Sequence, residues 1–244
     1  MKKSMKTQTQ TRVTTGVHVL VAVALLTAGV AAAAAGFVTV EKAVQKKGTV
    51  SETEKVVIQS SASCGSVVNP ADYIVTPTPS GPYEYTRPSF ALTAAQVEGD
   101  LDGDGIIKIC LRSGTASTPN VYLDFVTTTV DLAPWNVTHG TGDEPLVIFS
   151  DGTSESVRWR RQGIDILLIA KNTNVTSQRT LTISNIGFMG PGRAIDLASW
   201  DAPKAGVFLN ADRFVDFDQH AIIAASVVPL FIQHSQFSGN INAI

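Results

Sequence analysis

The chain has 244 residues, of which 44% are hydrophobic and 16% are charged, so its length allows one β domain and a membrane segment. Four of the 19 basic residues precede position 40, and no acidic residue lies in that part. The remainder therefore has 15 basic and 21 acidic residues, a net charge of about −6, which argues against a nucleic-acid-binding surface.

The first predicted element is an apolar helix. Residues 13–40 carry no charge, and residues 17–40 are long enough to cross the hydrocarbon core of a membrane. Basic residues precede the segment, which favours an N-terminus on the inner side. A cleaved signal peptide and an uncleaved anchor both fit residues 1–40, because the alanines at 31–35 offer cleavage sites. We expect the following chain to lie in the cell envelope or outside the cell.

Residues 41–90 read as a stalk between the apolar segment and the outer domain. Residues 41–62 are polar and mixed in charge, as in a flexible linker. Residues 69–90 are rich in proline, which excludes a long helix or a central strand. The prolines are Pro70, Pro77, Pro79, Pro82 and Pro88.

The chain contains two cysteines, Cys64 and Cys110. In an oxidising compartment an even number of cysteines favours a disulfide. We therefore predict a bond that joins the proline-rich segment to a strand near residues 106–111. The alternative is two separate buried thiols.

Internal repetition is the most informative feature of residues 91–244. Residues 181–188, 207–214 and 230–237 align with aliphatic residues at the first and third positions and Phe at the eighth. Each period would contain short strands with alternating burial, which can bury their inner face only by stacking on neighbouring repeats. A second set of aligned segments, each with Ala-Ile, starts at Arg193, His220 and Asn242.

These segments resemble the coils of the right-handed parallel β-helix superfamily, the pectate-lyase-like group. The resemblance is clear over residues 181–244 and weaker from Ile106. It implies an all-β fold for residues 91–244, preceded by the apolar helix. Because this fold carries lyases, hydrolases, adhesins and phage proteins, the resemblance leaves the activity open.

Two further expectations concern this domain. A β-sandwich is the alternative fold, although it would not need a period near 25 residues. Ile244 falls inside the third Ala-Ile segment with no polar cap after it, so we expect a fragment of a longer reading frame.

Asp100, Asp102 and Asp104, followed by Gly105, resemble the first half of a calcium loop of the EF-hand or dockerin type. Lys108 and Leu111 stand at the ninth and twelfth positions, where calcium ligands belong. A plain Asp/Gly turn is the alternative. Calcium is the one cofactor that we consider, and otherwise we expect none.

Asp212, Asp216, Asp218 and His220 form the acidic cluster of the repeats, and the last three would alternate on one strand face. Paired carboxylates could hydrolyse a glycosidic bond, and a lyase would add a base such as Arg193 or Arg213. The Asn-Thr-Asp, Asp-pair and Gly-His-Gly elements of the polygalacturonase-like members are absent from the sequence. Solvated outer-face residues are the alternative interpretation.

Arg158, Trp159 and Arg160 could stack on and pair with an acidic sugar. An exposed turn or edge strand protected by arginines is the alternative. The leading hypothesis is an exported surface module that binds glycans or mediates adhesion without catalysis. A polysaccharide lyase or glycoside hydrolase and a structural envelope protein are the alternatives. The expected partners are the membrane, through residues 17–40, and a cell-surface glycan or another envelope protein.

Overall fold

The computed structural model describes the strands at residues 37–44 and 52–59, Cys64, and residues 70–163 and 165–244. Phe37–Val44 (β1) and Glu52–Gln59 (β2) pair as an antiparallel hairpin. The predicted apolar helix lies outside the described residues up to position 36, and its last four positions belong to β1 instead. Among the described residues, no helix is long and apolar enough to cross a membrane.

The remaining described chain forms one helix, α1 (Pro88–Glu98), and a series of short strands. Their side chains alternate between burial and exposure at many positions, as expected for pleated strands that cover a core. The strands are β3 (Tyr73–Val75), β4 (Glu84–Tyr85), β5 (Ile107–Leu111), β6 (Asn120–Asp124), β7 (Thr128–Asp131), β8 (Leu146–Ser150), β9 (Val157–Arg161), β10 (Ile166–Lys171), β11 (Leu181–Ser184), β12 (Gly187–Met189), β13 (Arg193–Leu197), β14 (Val207–Asn210), β15 (Arg213–Val215), β16 (Ile222–Ala224), β17 (Leu230–Gln233) and β18 (Gln236–Ser238).

Strands β3 to β18 form three sheets in which every pairing is parallel. The first sheet has the order β17-β14-β11-β8-β5-β3-β4, the second β18-β15-β12-β9-β6 and the third β16-β13-β10-β7. Each pass of the chain, which we call a coil, therefore adds one strand to each sheet. This arrangement confirms the predicted all-β class and is consistent with a parallel β-helix. A β-sandwich of antiparallel sheets is excluded as the fold of these strands.

The strand register confirms the repeat read from the sequence. Leu181 pairs with Val207, which pairs with Leu230. Phe188, Phe214 and Phe237 likewise lie on successive strands of the second sheet. Their rings stack with centroids 5.0 and 4.9 Å apart. Like residues stack on like, so a continuous apolar column fills the interior.

Coil length changes along the stack. Ile107 pairs with Leu146 and Leu146 with Leu181, positions 39 and 35 residues apart. Leu181 and Val207 are 26 residues apart, and Val207 and Leu230 are 23. The two N-terminal coils therefore carry longer loops between strands of the same length, which hides their repeat in the sequence.

Helix α1 covers the N-terminal end of the interior. Pro88 occupies its first turn, where a missing N–H leaves no broken hydrogen bond. Ala91, Leu92 and Ala95 are buried in the same cluster as Tyr73 of β3. Residues 73–85 thus add strands β3 and β4 to the first sheet, and the boundary expected after residue 90 falls inside α1.

The Cys64–Cys110 disulfide is present, as predicted. Cys110 lies on the outer face of the first sheet, where both cysteines pack with Val147 and Phe149 in a second hydrophobic cluster. Ile74 packs against the same cluster. The disulfide therefore fastens the segment before β3 to the sheet, and it is consistent with an oxidising compartment.

Candidate functional site

The second sheet turns its arginines away from the core. Tyr122, Trp159, Phe188 and Phe214 point inward and are buried. Because successive side chains of a strand point to opposite faces, their neighbours in sequence lie on the outer face. Two of these neighbours, Arg158 and Arg160, flank Trp159 on β9.

The register places a third arginine on the same face. Val121, Arg158, Gly187 and Arg213 form one cross-strand column. The second column contains Leu123, Arg160, Met189 and Val215. Neighbouring strands lie about 4.8 Å apart, so the backbones of Arg158 and Arg213 are separated by roughly 10 Å. We call this surface the arginine face: Val121, Leu123, Arg158, Arg160, Met189, Arg213 and Val215.

Trp159 does not belong to this face, which corrects its assignment as a ligand-stacking residue. Its side chain is 0% exposed, its ring lies 5.7 Å from that of Phe188, and its Nε1 donates to Asp124 Oδ2 at 2.8 Å. It takes the position of the stacked phenylalanines in an earlier coil. Alternation along β9 puts it opposite Arg158 and Arg160.

The guanidinium groups of the arginine face are open to a ligand. Within the described part of the chain, neither Arg158 nor Arg160 has an ion pair, and Arg160 is exposed. Arg213 Nη1 lies 3.9 Å from Glu155 Oε1, and the Glu155 side chain is mostly exposed. The face is a local concentration of positive charge in a chain segment whose net charge is negative.

A groove of about 170 Å³ lies where the second sheet turns into the third. Asp165, Arg193 and Gln219 line it together with Thr127 and Ile166. Arg193 donates from Nε to Gln219 Oε1 at 2.9 Å and from Nη1 to Asp196 Oδ2 at 3.1 Å. Since Arg161, the last residue of β9, lies 2.8 Å from Asp165, the groove borders the arginine face.

The predicted acidic cluster does not share one strand face. β15 ends at Val215, and Asp216 has a left-handed backbone with φ 57°. Asp218 accepts a hydrogen bond from the Gly192 N–H at 2.8 Å, and it flanks Gln219 of the groove together with His220. The alternation expected for these residues is wrong because the strand stops before they begin.

Asp212 lies at the other end of β15 and is fully buried. Its Oδ1 accepts the Ile186 N–H at 2.9 Å, while Oδ2 has no hydrogen-bond partner among the described residues. Burial raises the pKa of this carboxyl well above its usual value. A substrate could not reach it, so Asp212 is withdrawn as a catalytic residue.

Asp100, Asp102 and Asp104 are brought together before β5, as the calcium-loop resemblance predicts, but around a lysine. Lys108 Nζ lies 2.6 Å from Asp102 Oδ2 and 2.7 Å from Asp104 Oδ2. Asp72, Asp100 and Asp102 also place oxygens within 4.8 Å of one another. Because an ammonium already binds two of the carboxylates, this donor set does not fit a calcium ion.

Sequence reasoning missed two participants. Arg213 precedes Phe214 as Arg158 precedes Trp159, so an alignment that treated Trp and Phe as equivalent would have joined the two arginines. Asp72, whose Oδ2 accepts the Lys108 N–H at 2.7 Å, left no signal, because it is 36 positions away in the chain. Burial raises the pKa of Asp72 to about 6.

A search of protein-family models, curated proteins and solved structures found nothing that matches this chain, so its function is argued from this geometry alone.

Proposed function

We propose that this protein is an exported β-helix module, right-handed as in the pectate-lyase-like group, that binds an acidic polysaccharide without cleaving it. The observation that carries the proposal is the cross-strand arrangement of Arg158, Arg160 and Arg213 on one open sheet face. Export is supported by the apolar segment at residues 17–40 and by the Cys64–Cys110 disulfide.

The chemistry of the arginine face suits a chain of acidic sugars. A guanidinium presents paired N–H groups that match the two oxygens of a carboxylate or sulfate. Leu123, Met189 and Val215 stand beside the arginines and offer apolar contact to the C–H faces of sugar rings. Because equivalent positions recur on successive strands, an extended polymer can lie along the stack and meet one coil after another.

Binding of the full chain to polygalacturonate, with uncharged dextran as a reference polymer, tests this proposal. The double variant Arg158→Ala/Arg160→Ala should weaken binding about tenfold or more through the loss of two charged contacts. Added salt should also weaken wild-type binding. Arg112→Ala/Lys204→Ala is the matched control, because it removes the same charge from exposed positions outside the face. Equal loss in both variants, or wild-type binding to dextran as tight as to polygalacturonate, would contradict the proposal.

The groove favours one alternative, a polysaccharide lyase or glycoside hydrolase. Arg193 and Gln219 line it, with Asp218 and His220 on either side of Gln219. New unsaturated or reducing ends in the same incubation, lost in Arg193→Ala, would replace the binding proposal by this one. Neither binding nor cleavage across a panel of acidic polymers would leave the structural envelope protein as the better description.

A further inference from the structure

The loop that resembles a calcium site satisfies most of its carboxylate oxygens with its own backbone. Asp100 accepts the N–H groups of Gly103 and Gly105 at 2.8 and 2.6 Å. Asp102 Oδ1 accepts the Asp104 N–H, and Asp104 Oδ1 accepts the Ile106 N–H. One oxygen each of Asp102 and Asp104 is left to face the interior of the loop.

Those two oxygens converge on a buried ammonium. Lys108 Nζ lies 2.6 and 2.7 Å from them, and its side chain is 0% exposed. These are the distances of charge-assisted hydrogen bonds. Lys108 belongs to β5, so the strand that follows the loop holds the positive charge at a set position.

We propose that Lys108 is the built-in cation of this loop, and that the loop takes no calcium ion. A calcium ion needs six to eight oxygen ligands. To bind, it would have to displace an ammonium that the chain itself holds against two of the available carboxylates. Asp72 adds a third negative group on the same side, since it accepts the backbone N–H of Lys108 and those of Leu101 and Asp102.

The consequence is that the N-terminal end of the stack is organised without metal. The loop directly precedes β5, the strand that also carries Cys110. Asp72 directly precedes β3 and joins the loop to it through these hydrogen bonds. Neutralisation by Lys108 therefore stabilises the contact between β3, the loop and β5.

The experiment compares melting temperatures of the full chain in millimolar calcium and in excess EGTA, together with calorimetric titration of wild type with calcium. Wild type should melt at the same temperature in both and release no binding heat. A saturable rise of the melting temperature with calcium, or a binding isotherm, would overturn the proposal.

Variants test the role of the ammonium independently of added metal. Lys108→Gln leaves the carboxylates uncompensated and should lower the melting temperature by about 10 °C. The control Lys171→Gln removes a lysine that is 35% exposed and 3.8 Å from Asp131, and should change it by less than about 2 °C. The triple variant Lys108→Gln/Asp102→Asn/Asp104→Asn should recover part of the loss. If Lys108→Gln melts like wild type, or if the triple variant is no more stable than Lys108→Gln, the loop does not depend on a built-in cation. If Lys108→Gln fails to fold, a folded triple variant supports the proposal and an unfolded one overturns it.

Discussion

The two N-terminal coils and the coils from β11 onward are built from the same strands but differ in what lies between them. From Ile107 to Leu181 the register advances by 39 and 35 residues, whereas from Leu181 to Leu230 it advances by 26 and 23. The short coils repeat one apolar pattern, and their Phe rings stack in a single column. The long coils replace that Phe by Trp159 and spend their extra residues on loops.

The difference teaches where recognition chemistry accumulates in such a stack. The acidic loop lies just before β5, and Arg158 and Arg160 lie in the second coil. Residues outside the hydrogen-bonded ladder can vary in number and kind without disturbing the core. Regular coils provide stability that is easily read from the sequence, and irregular coils provide most of the candidate binding groups.

The largest effect should come from the disulfide of the N-terminal part. Cys64→Ser/Cys110→Ser opens a loop defined by a separation of 46 residues. Loop-closure entropy predicts a loss of about 4 kcal/mol in the free energy of unfolding, which urea denaturation would measure. Reduction of wild type under unfolding conditions should reproduce that loss. A change below about 1 kcal/mol would mean that the N-terminal coils hold together as well as the regular ones without a crosslink.

Truncation within the aromatic column tests the regular coils. Phe214 is fully buried between Phe188 and Phe237, so Phe214→Ala should lower the free energy of unfolding by about 3 kcal/mol through lost burial and a cavity. Phe237 is only partly buried, so Phe237→Ala should cost about half as much. Equal losses in urea denaturation would show that the column does not stabilise the stack in proportion to burial.

The smallest effect at neutral pH, and the one with a signature, concerns Asp212. Burial raises the pKa of its carboxyl in the folded state above the ordinary 3.8, so the folded state binds its proton more tightly than the unfolded state. The corresponding stability is fully present below the unfolded pKa and is lost as pH rises through the folded pKa. Asp212→Asn cannot lose that proton, so its free energy of unfolding should rise relative to wild type with increasing pH.

Urea denaturation of Asp212→Asn at several pH values measures this trend. Phe214→Ala, which changes no titratable group, is the control and should differ from wild type by the same amount at each pH. A constant difference between Asp212→Asn and wild type would mean that the carboxyl titrates alike in both states. The net effect at neutral pH should be small, because the new amide N–H₂ is itself left in a buried place.

Particular residues illustrate how far sequence reasoning reached into the fold. The alignment of Leu181, Val207 and Leu230 predicted the register of the first sheet, because stacked coils need like residues at like positions. The same reasoning failed for Asp216, since a period-2 pattern holds only within a strand and β15 ends at Val215. It also misplaced Trp159 on the surface, although alternation around Arg158 and Arg160 carried the correct answer.

For this protein, the sequence by itself determined what depends on local composition and repetition: parallel strands in coils, the column of Phe side chains and the pairing of the only two cysteines. Only the tertiary structure decided which distant residues meet: Arg158 with Arg213 on one face, Asp72 with the acidic loop, and Lys108 within it. The physical reason is that strand pairing in this stack joins positions 23 to 39 residues apart, with loops of unequal length between them. No local pattern specifies such distances, so the chemistry of the surface appears only when the coils are stacked.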